Sequence, residues 1–231
     1  MWWAASQKNG CNAKSLQRLL GLRSYHVAWE WLHKIRQAMA LADQELGSLK
    51  GLVEVGMAFI GDEKTAVGGR KALRNAKVFI AVGTIPVAHF NSGGCVRLQQ
   101  VMDFSVETVT DFVFHNVDRH RSFVFTDSGE EYRLLRDKGF IHKVRRREEK
   151  PGEPGPTTLV LPHVQEIVDL LRRWLRTHRG AIRPNYLQRY LDEFAFHHNR
   201  RNSRDVDTIF YQLVEGITHC PPANSRPADA P

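Results

Sequence analysis

The residue with the clearest capacity for chemistry is Asp127, which closes the run Phe123-Val124-Phe125-Thr126-Asp127. A carboxylate leaving the end of a buried strand is held rigidly at the mouth of a sheet and is well placed to hold Mg²⁺. The same aspartate stands just ahead of a helix-forming stretch that begins at Glu130, where aspartate commonly serves as an N-cap. Both readings stay open on these residues alone. A second feature is the run Arg145, Arg146 and Arg147, which leads into a charged, Pro/Gly-rich stretch at 148–156 with no apolar period, a loop that faces solvent or a DNA backbone. Cys11, Cys95 and Cys220 lie far apart, and His197 and His198 are too close together on a helix to share one metal, so no zinc is expected.

Positioning the Asp127 carboxylate requires a sheet. Residues 52–60, 77–82, 96–101 and 122–126 are short apolar or β-branched runs bounded by Gly, Asn and Ser, and read as strands. Residues 106–117, with Val109, Phe112 and Val113 at helical spacing, and residues 130–138 read as helices after the third and fourth runs. Two helices follow at 164–176 and 185–198, with Ile167, Val168, Leu171, Trp174, Leu187, Leu191 and Phe194 inward and Pro184 at a first-turn position. A strand hairpin, a third strand, a helix, a strand ending in aspartate and a late charged helix make the order of an RNase H-like fold: α/β, a mixed sheet with flanking helices. In such folds carboxylates from the first strand, the fourth strand and a late helix clamp two Mg²⁺ ions about 3.5–4 Å apart around a phosphodiester.

Ahead of this unit, residues 13–20 place Leu16, Leu19 and Leu20 on one helical face, Gly21 is a stop, and Ser24 can cap a second helix. There Tyr25, Ala28, Trp29, Leu32, Ile35 and Met39 recur at three- and four-residue steps, while Arg23, His26, Glu30, Lys34 and Arg36 fall outside the stripe. This is a helix-turn-helix pattern, in which the first helix braces a second whose polar face enters a major groove. Arg23, His26, Lys34 and Arg36 are then the candidates for DNA contact. An αα-hairpin with an apolar seam matches the same spacing.

The chain has 231 residues, with 33 Lys and Arg against 25 Asp and Glu and a formal net charge of +8, a balance that favours a polyanionic partner. No run approaches the length of an apolar membrane span, and the N-terminus lacks the grammar of an export signal. A cytoplasmic, nucleoid-associated protein without membrane contact is the expectation. The divisions expected are a helix-turn-helix segment at 1–46, an RNase H-like domain at 47–205, and a C-terminal helix remnant with a disordered tail at 206–231.

Several colinear stretches carry a family resemblance. They are the block from Asn9 to Gly21 with Ala28-Trp29 and His33-Lys34-Ile35-Arg36; Val53-Glu54-Val55 with Ile60-Gly61; Thr126-Asp127 with Tyr132 and Lys138-Gly139-Phe140-Ile141-His142; and Arg173-Trp174-Leu175, Thr177-His178-Arg179-Gly180, Tyr190-Leu191-Asp192-Glu193-Phe194 and Asn199-Arg200-Arg201. Over nearly its full length the chain resembles the zinc-ribbon-bearing bacterial insertion-sequence transposases of the ISXO type. The resemblance implies Mg²⁺- or Mn²⁺-dependent DNA cleavage and strand transfer at terminal inverted repeats. It also makes Asp127 a catalytic, metal-holding acid and is compatible with a homodimer. The third acid would come from the helix at 164–176, as Glu166 paired in spacing with Arg173 or Asp169 with Arg172, and these arginines would lie against DNA.

Two departures stand beside these matches. Where the family reads Val-Glu-Val-Asp-Glu, this chain reads Val53-Glu54-Val55-Gly56-Met57, so the first catalytic aspartate is absent. Glu54, two residues earlier and on the same strand face, is the candidate to substitute. Restoring Gly56→Asp and Met57→Glu is expected on this reading to strengthen Mg²⁺ binding. The family's N-terminal zinc ribbon has no counterpart, which points to a truncated, degenerate copy. The alternative function is a non-catalytic helix-turn-helix DNA-binding protein derived from a transposase.

Overall fold

The computed structural model describes residues 2–7, 10–61, 75–83, 94–145, 160–178, 182–203 and 205–218. In chain order the elements are α1 (Trp2–Ser6), α2 (Ala13–Leu19), α3 (Tyr25–Gln44), β1 (Leu49–Ile60), β2 (Ala76–Gly83), β3 (Val96–Val101), α4 (Val106–Asn116), β4 (Val117–Thr126), β5 (Ile141–Val144), α5 (Pro162–Thr177), α6 (Leu187–Asn199) and α7 (Val206–Thr218). Strand order is β3-β2-β1-β4-β5. β2 runs antiparallel to both β1 and β3, whereas β1, β4 and β5 run parallel. This is the mixed sheet of an RNase H-like fold.

Side chains alternate across the central strands, so β1 and β2 each supply two cores. Ala58 and Ile60 of β1, with Val78, Ile80 and Val82 of β2, pack against Val164, Ile167 and Leu171 of α5 and Leu187 and Leu191 of α6. On the other face Val53, Val55, Phe79 and Ala81 meet Val109, Phe112 and Val113 of α4, together with Tyr132 and Leu135. The sheet is therefore covered on both sides by helices, as a parallel centre requires.

A third core joins the N-terminal helices to the domain: Leu16, Leu32, Ile35 and Met39 pack with Phe196 of α6 and with Ile209 and Leu213 of α7. Asn12 caps α2 by accepting from the Ser15 N–H at 2.8 Å, and Ser24 caps α3 by accepting from Val27. Gly21 between them takes φ +63°, which suits glycine at a helix stop. Residues 206–218, read from the sequence as a remnant, form a helix lying on α3. Gly216 permits that approach, because a Cβ there would stand 2.7 Å from the Ala38 carbonyl oxygen.

Local differences from the sequence reading have local causes. The stretch after Asp127 is a 3-10 turn at Glu130–Leu135, not an α-helix, and ends near Gly139 at φ +84°. Strand β5 shows no alternation, since of its residues His142 alone is buried at the edge of the sheet. Among the described residues no helix is long and apolar enough to cross a membrane.

Buried histidines are expected to make the fold acid-sensitive. Burial, then the Arg36 and Arg189 charges, lowers the His33 pKa to about 3, and burial with Arg201 lowers His198 to about 4. Burial instead raises Asp192 to about 7. The two imidazoles contribute stability that is full above their unfolded value of 6.5 and is lost as pH falls toward 4. Asp192 acts oppositely, stabilising most below the ordinary carboxylate range. Burial also lowers His142, His178 and His197, so between pH 4 and 6.5 the unfolded chain binds more imidazole protons than the single carboxyl proton the folded chain keeps, and stability should fall with acidification by roughly 1.4 kcal/mol per pH unit or more. Thermal unfolding between pH 6.5 and 5 should show a Tm decline of about 3–5 °C per unit or more, and His198→Gln should reduce the slope. A Tm that rises on acidification would refute this assignment.

Candidate active site

Parallel pairing of β1 with β4 determines what can meet at the mouth. Val53 lies beside Val124 and Glu54 beside Phe125. The pairing ends there: Gly56 lies two residues further along β1 and faces α5, while Asp127 lies two residues beyond Phe125, just past the end of β4. Asp127 follows the last residue of β4, is half-buried, and accepts the Gly129 N–H at 3.3 Å through Oδ1. It is not the N-cap of the following turn, since Gly129 holds that position with no side-chain cap. Tyr132 is buried close by, and its hydroxyl has no partner among the described residues. Burial, and after it the Asp127 and Glu131 carboxylates, pushes the Tyr132 pKa upward.

Glu54 is 1% exposed and fully engaged. Its Oε1 accepts from Arg145 Nη1 at 2.5 Å, and its Oε2 accepts the backbone N–H groups of His163 at 2.9 Å and Val164 at 3.2 Å. The carboxylate thus binds the first turn of α5, where the helix dipole favours an anion. The Arg145 guanidinium lies 4.5 Å from the Phe125 ring centroid. Glu54 is a clamp between strand and helix, with both carboxylate oxygens occupied. At Gly56, a Cβ would stand 2.9 Å from Val164 Cγ1 and 3.2 Å from Leu161 Cδ1. The space that an acid would need is filled by α5.

The two candidate third acids point elsewhere. The buried stripe of α5 is Val164, Ile167, Val168, Leu171 and Trp174, which leaves Glu166 and Asp169 on the outer side. Asp169 Oδ1 accepts from Gln165 Nε2 at 3.2 Å and lies 3.9 Å from Arg172. Glu166 contributes charge at Arg201. No group of three His, Cys, Asp or Glu side chains that could hold a metal occurs among the described residues. The described residues at this mouth do not fit a two-metal centre: position 56 carries no acid, Glu54 is tied to arginine, and the helix acids face outward.

Among the basic candidates, Arg23, His26 and Lys34 are exposed on the helix pair, with His26 Nε2 3.5 Å from Glu30. Arg36 is a correction. It is 1% exposed, its Nε donates to Glu193 Oε2 at 2.7 Å, and its guanidinium lies 3.8 Å from the Tyr190 ring centroid, so it is withdrawn from any DNA surface. Position 36 falls on the inner seam of α3, where the charge is neutralised by a glutamate 157 residues away in sequence. Arg172 and Arg173 are exposed on α5, Arg145 is at the mouth, and Arg146 and Arg147 lie outside the described residues.

The structure also brings together residues that sequence reasoning did not pair. Asp43, at the end of α3, accepts from Arg200 Nη1 at 2.5 Å and Asn199 Nδ2 at 2.7 Å, while Asn199 Oδ1 accepts the Val96 N–H at 2.7 Å. The Tyr190–Phe194 and Asn199-Arg200 stretches therefore staple the N-terminal helices to the sheet domain. The available signal was the presence of unpaired charges within apolar runs.

No curated protein is significantly similar to this chain. Residues 48–199, however, match the family described as the ISXO2-like transposase domain, a span that runs from the start of β1 to the end of α6. DDE transposases of this kind generally use a divalent metal. With the sheet order and more than half of its length in agreement, the chain belongs to the ISXO2-like transposase domain family of insertion-sequence transposases.

Proposed function

We propose that this chain binds the double-stranded terminal inverted repeats of a mobile element and is defective in cleavage and strand transfer. The observation carrying this reading is Gly56: the position of β1 where the family pattern has its first aspartate has no side chain, and Val164 and Leu161 stand where a carboxylate would have to project. A loss of one charge from a phosphodiester-cleaving centre costs roughly several kcal/mol of transition-state stabilisation, and each 1.36 kcal/mol is about tenfold in rate. Grip on DNA draws on different residues. Arg23, His26 and Lys34 on the α2–α3 pair suit a major groove and its phosphates, and Arg172 and Arg173 extend a basic surface. A homodimer, one copy at each element end, is the assembly this reading expects, acting at the nucleoid.

The test is binding of labelled duplex carrying the terminal repeats at two ionic strengths, with cleavage assayed in Mg²⁺ and Mn²⁺. With about four phosphate contacts, Kd should rise roughly a hundredfold between 50 and 200 mM salt. Arg23→Ala and Lys34→Ala should each reduce the salt slope by about one. The unmodified chain should leave the DNA uncut. A flat salt response would refute the DNA reading, and efficient cutting would refute the defect.

A further inference from the structure

Between the second halves of α5 and α6 lies a cavity of about 320 Å³ that shares no lining residue with the mouth of the sheet. That volume suits a small organic ligand. Part of its wall is a set of packed rings: Trp174 meets Phe194 edge-on at 5.8 Å, and the His198 ring stacks on Phe194 at 5.8 Å between centroids. Its charge is positive, since Arg173 and Arg201 line it and no described side chain in the lining is acidic. Arg201 Nη1 donates to the His198 carbonyl at 2.5 Å, which holds that side chain at the end of α6. Glu166 does not line the cavity and reaches Arg201 only through its charge.

The same walls collect unmet hydrogen-bonding capacity. Among the described residues five buried side-chain nitrogen or oxygen atoms lack a partner, and three of them, Trp174 Nε1, His197 Nε2 and His198 Nε2, belong to residues of this lining. Orphaned buried polar groups are costly, so their concentration at one cavity marks where a bound molecule would complete them. They differ in kind. The indole N–H can only donate. Burial keeps both imidazoles neutral, and the His198 ring bonds the Gly94 backbone through its other nitrogen, which leaves Nε2 as an acceptor. A bare phosphate brings no N–H to such a wall. A nucleobase brings both acceptors and N–H donors together with a flat face for the rings, and the phosphate it carries suits two guanidinium groups.

We propose that this cavity takes one nucleotide unit, with its phosphate on Arg173 and Arg201 and its base among Trp174, Phe194 and His198. The unpaired end of a DNA strand and a free mononucleotide offer this same chemistry. Such a site goes beyond duplex binding by the α2–α3 pair and requires no cleavage.

Equilibrium binding of the full chain, in chelator, to labelled duplexes that differ only at one end tests this: blunt, with a short 5′-phosphorylated single-stranded extension, and with the same extension made abasic. The extension should tighten binding about tenfold, and the abasic extension should bind as the blunt end does. Arg173→Ala and His198→Phe, which keeps a ring against Phe194 but removes the acceptor, should lose that gain. Arg172→Ala, outside the lining, should weaken blunt and extended duplexes alike. Millimolar dAMP or dTMP should raise the Tm of the unmodified chain by about 1–2 °C if free nucleotides enter, because a ligand bound only by the folded state stabilises it. A gain with the extension alone assigns the site to a strand end, and a Tm response alone assigns it to free mononucleotides.

Three results would overturn the proposal. One is equal binding of blunt and extended duplexes together with no Tm response to mononucleotide. Another is an abasic extension that binds as tightly as the base-bearing one, which would leave a phosphate contact only. The third is a gain that survives in Arg173→Ala, an exposed position that keeps the test open even if His198→Phe fails to fold. Salt-dependent binding of the blunt duplex in any of these cases leaves the duplex-binding reading intact. A flat salt response of the blunt duplex beside a mononucleotide-dependent Tm would overturn that reading alone.

Discussion

Arg36→Ala is expected to destabilise the protein by about 3–5 kcal/mol, because it strands the Glu193 carboxylate in the core. Glu193 is 0% exposed and holds two elements at once, accepting from Arg36 through Oε2 and from the Cys11 N–H at 2.6 Å through Oε1. Arg36 in turn donates to the Cys11 carbonyl at 3.2 Å. The pair thus fastens α3 and the segment before α2 to α6. For a chain of this size the loss should lower Tm by roughly 6–20 °C, and Glu193→Ala should do the same by leaving the guanidinium unpaired. A double-mutant cycle separates the coupling from simple truncation. Arg36→Met with Glu193→Leu should recover most of the loss, since paired removal leaves no orphaned charge. If Arg36→Ala instead lowered DNA affinity while leaving Tm unchanged, the side chain would be at the surface and the burial described above would be wrong.

Gly56→Asp should destabilise the chain by about 1–3 kcal/mol and should not, by itself, produce cutting of supercoiled DNA. The expected cause is steric. A Cβ at 2.9 Å from Val164 Cγ1 forces α5 to yield, and the new carboxylate enters a region already occupied by Leu161 and Val164. The expectation from sequence, that restoring Asp and Glu at 56 and 57 suffices to strengthen metal binding, meets this obstacle. Val164→Ala removes the obstructing methyl groups, so Gly56→Asp should be tolerated better in that background, with a favourable coupling of about 1 kcal/mol or more. Even then the acids of α5 face outward, and turnover should remain absent. Unfolding midpoints of the two singles and the double, with a plasmid-nicking assay, decide the matter. A Gly56→Asp protein more stable than its parent, or able to cut DNA alone, would show that the mouth has room for the acid.

Several elements were legible because they depend on local periodicity. The short apolar and β-branched runs within β1 to β4, the stripe of α5, the cap Ser24 and the stop at Gly21 are each specified by residues within a few positions of one another. The order of strands and helices was enough to name an RNase H-like sheet, and Asp127 was recognisable at the end of its strand. The absence of an acid at position 56 was also readable, since it is a matter of residue identity.

What the tertiary structure alone decided concerns charges whose partners are distant in sequence. Arg36 reads as a polar-face residue because hydrophobic periodicity treats every guanidinium as solvated. Only packing against α6 shows that Glu193 and the Tyr190 ring make its burial tolerable. Glu54 reads as a spare acid by strand parity, yet the hydrogen bonds that consume it come from Arg145, just after β5, and from α5, 91 to 110 residues away. Glu166 and Asp169 were available by composition, and the rotation of α5 on the sheet turned them outward. Sequence determined which ionisable groups exist and which strand carries them. Folding determined which of them keep a free charge, because desolvation compels each buried ion to find a partner and the nearest partner is set by the packing of elements, not by sequence spacing.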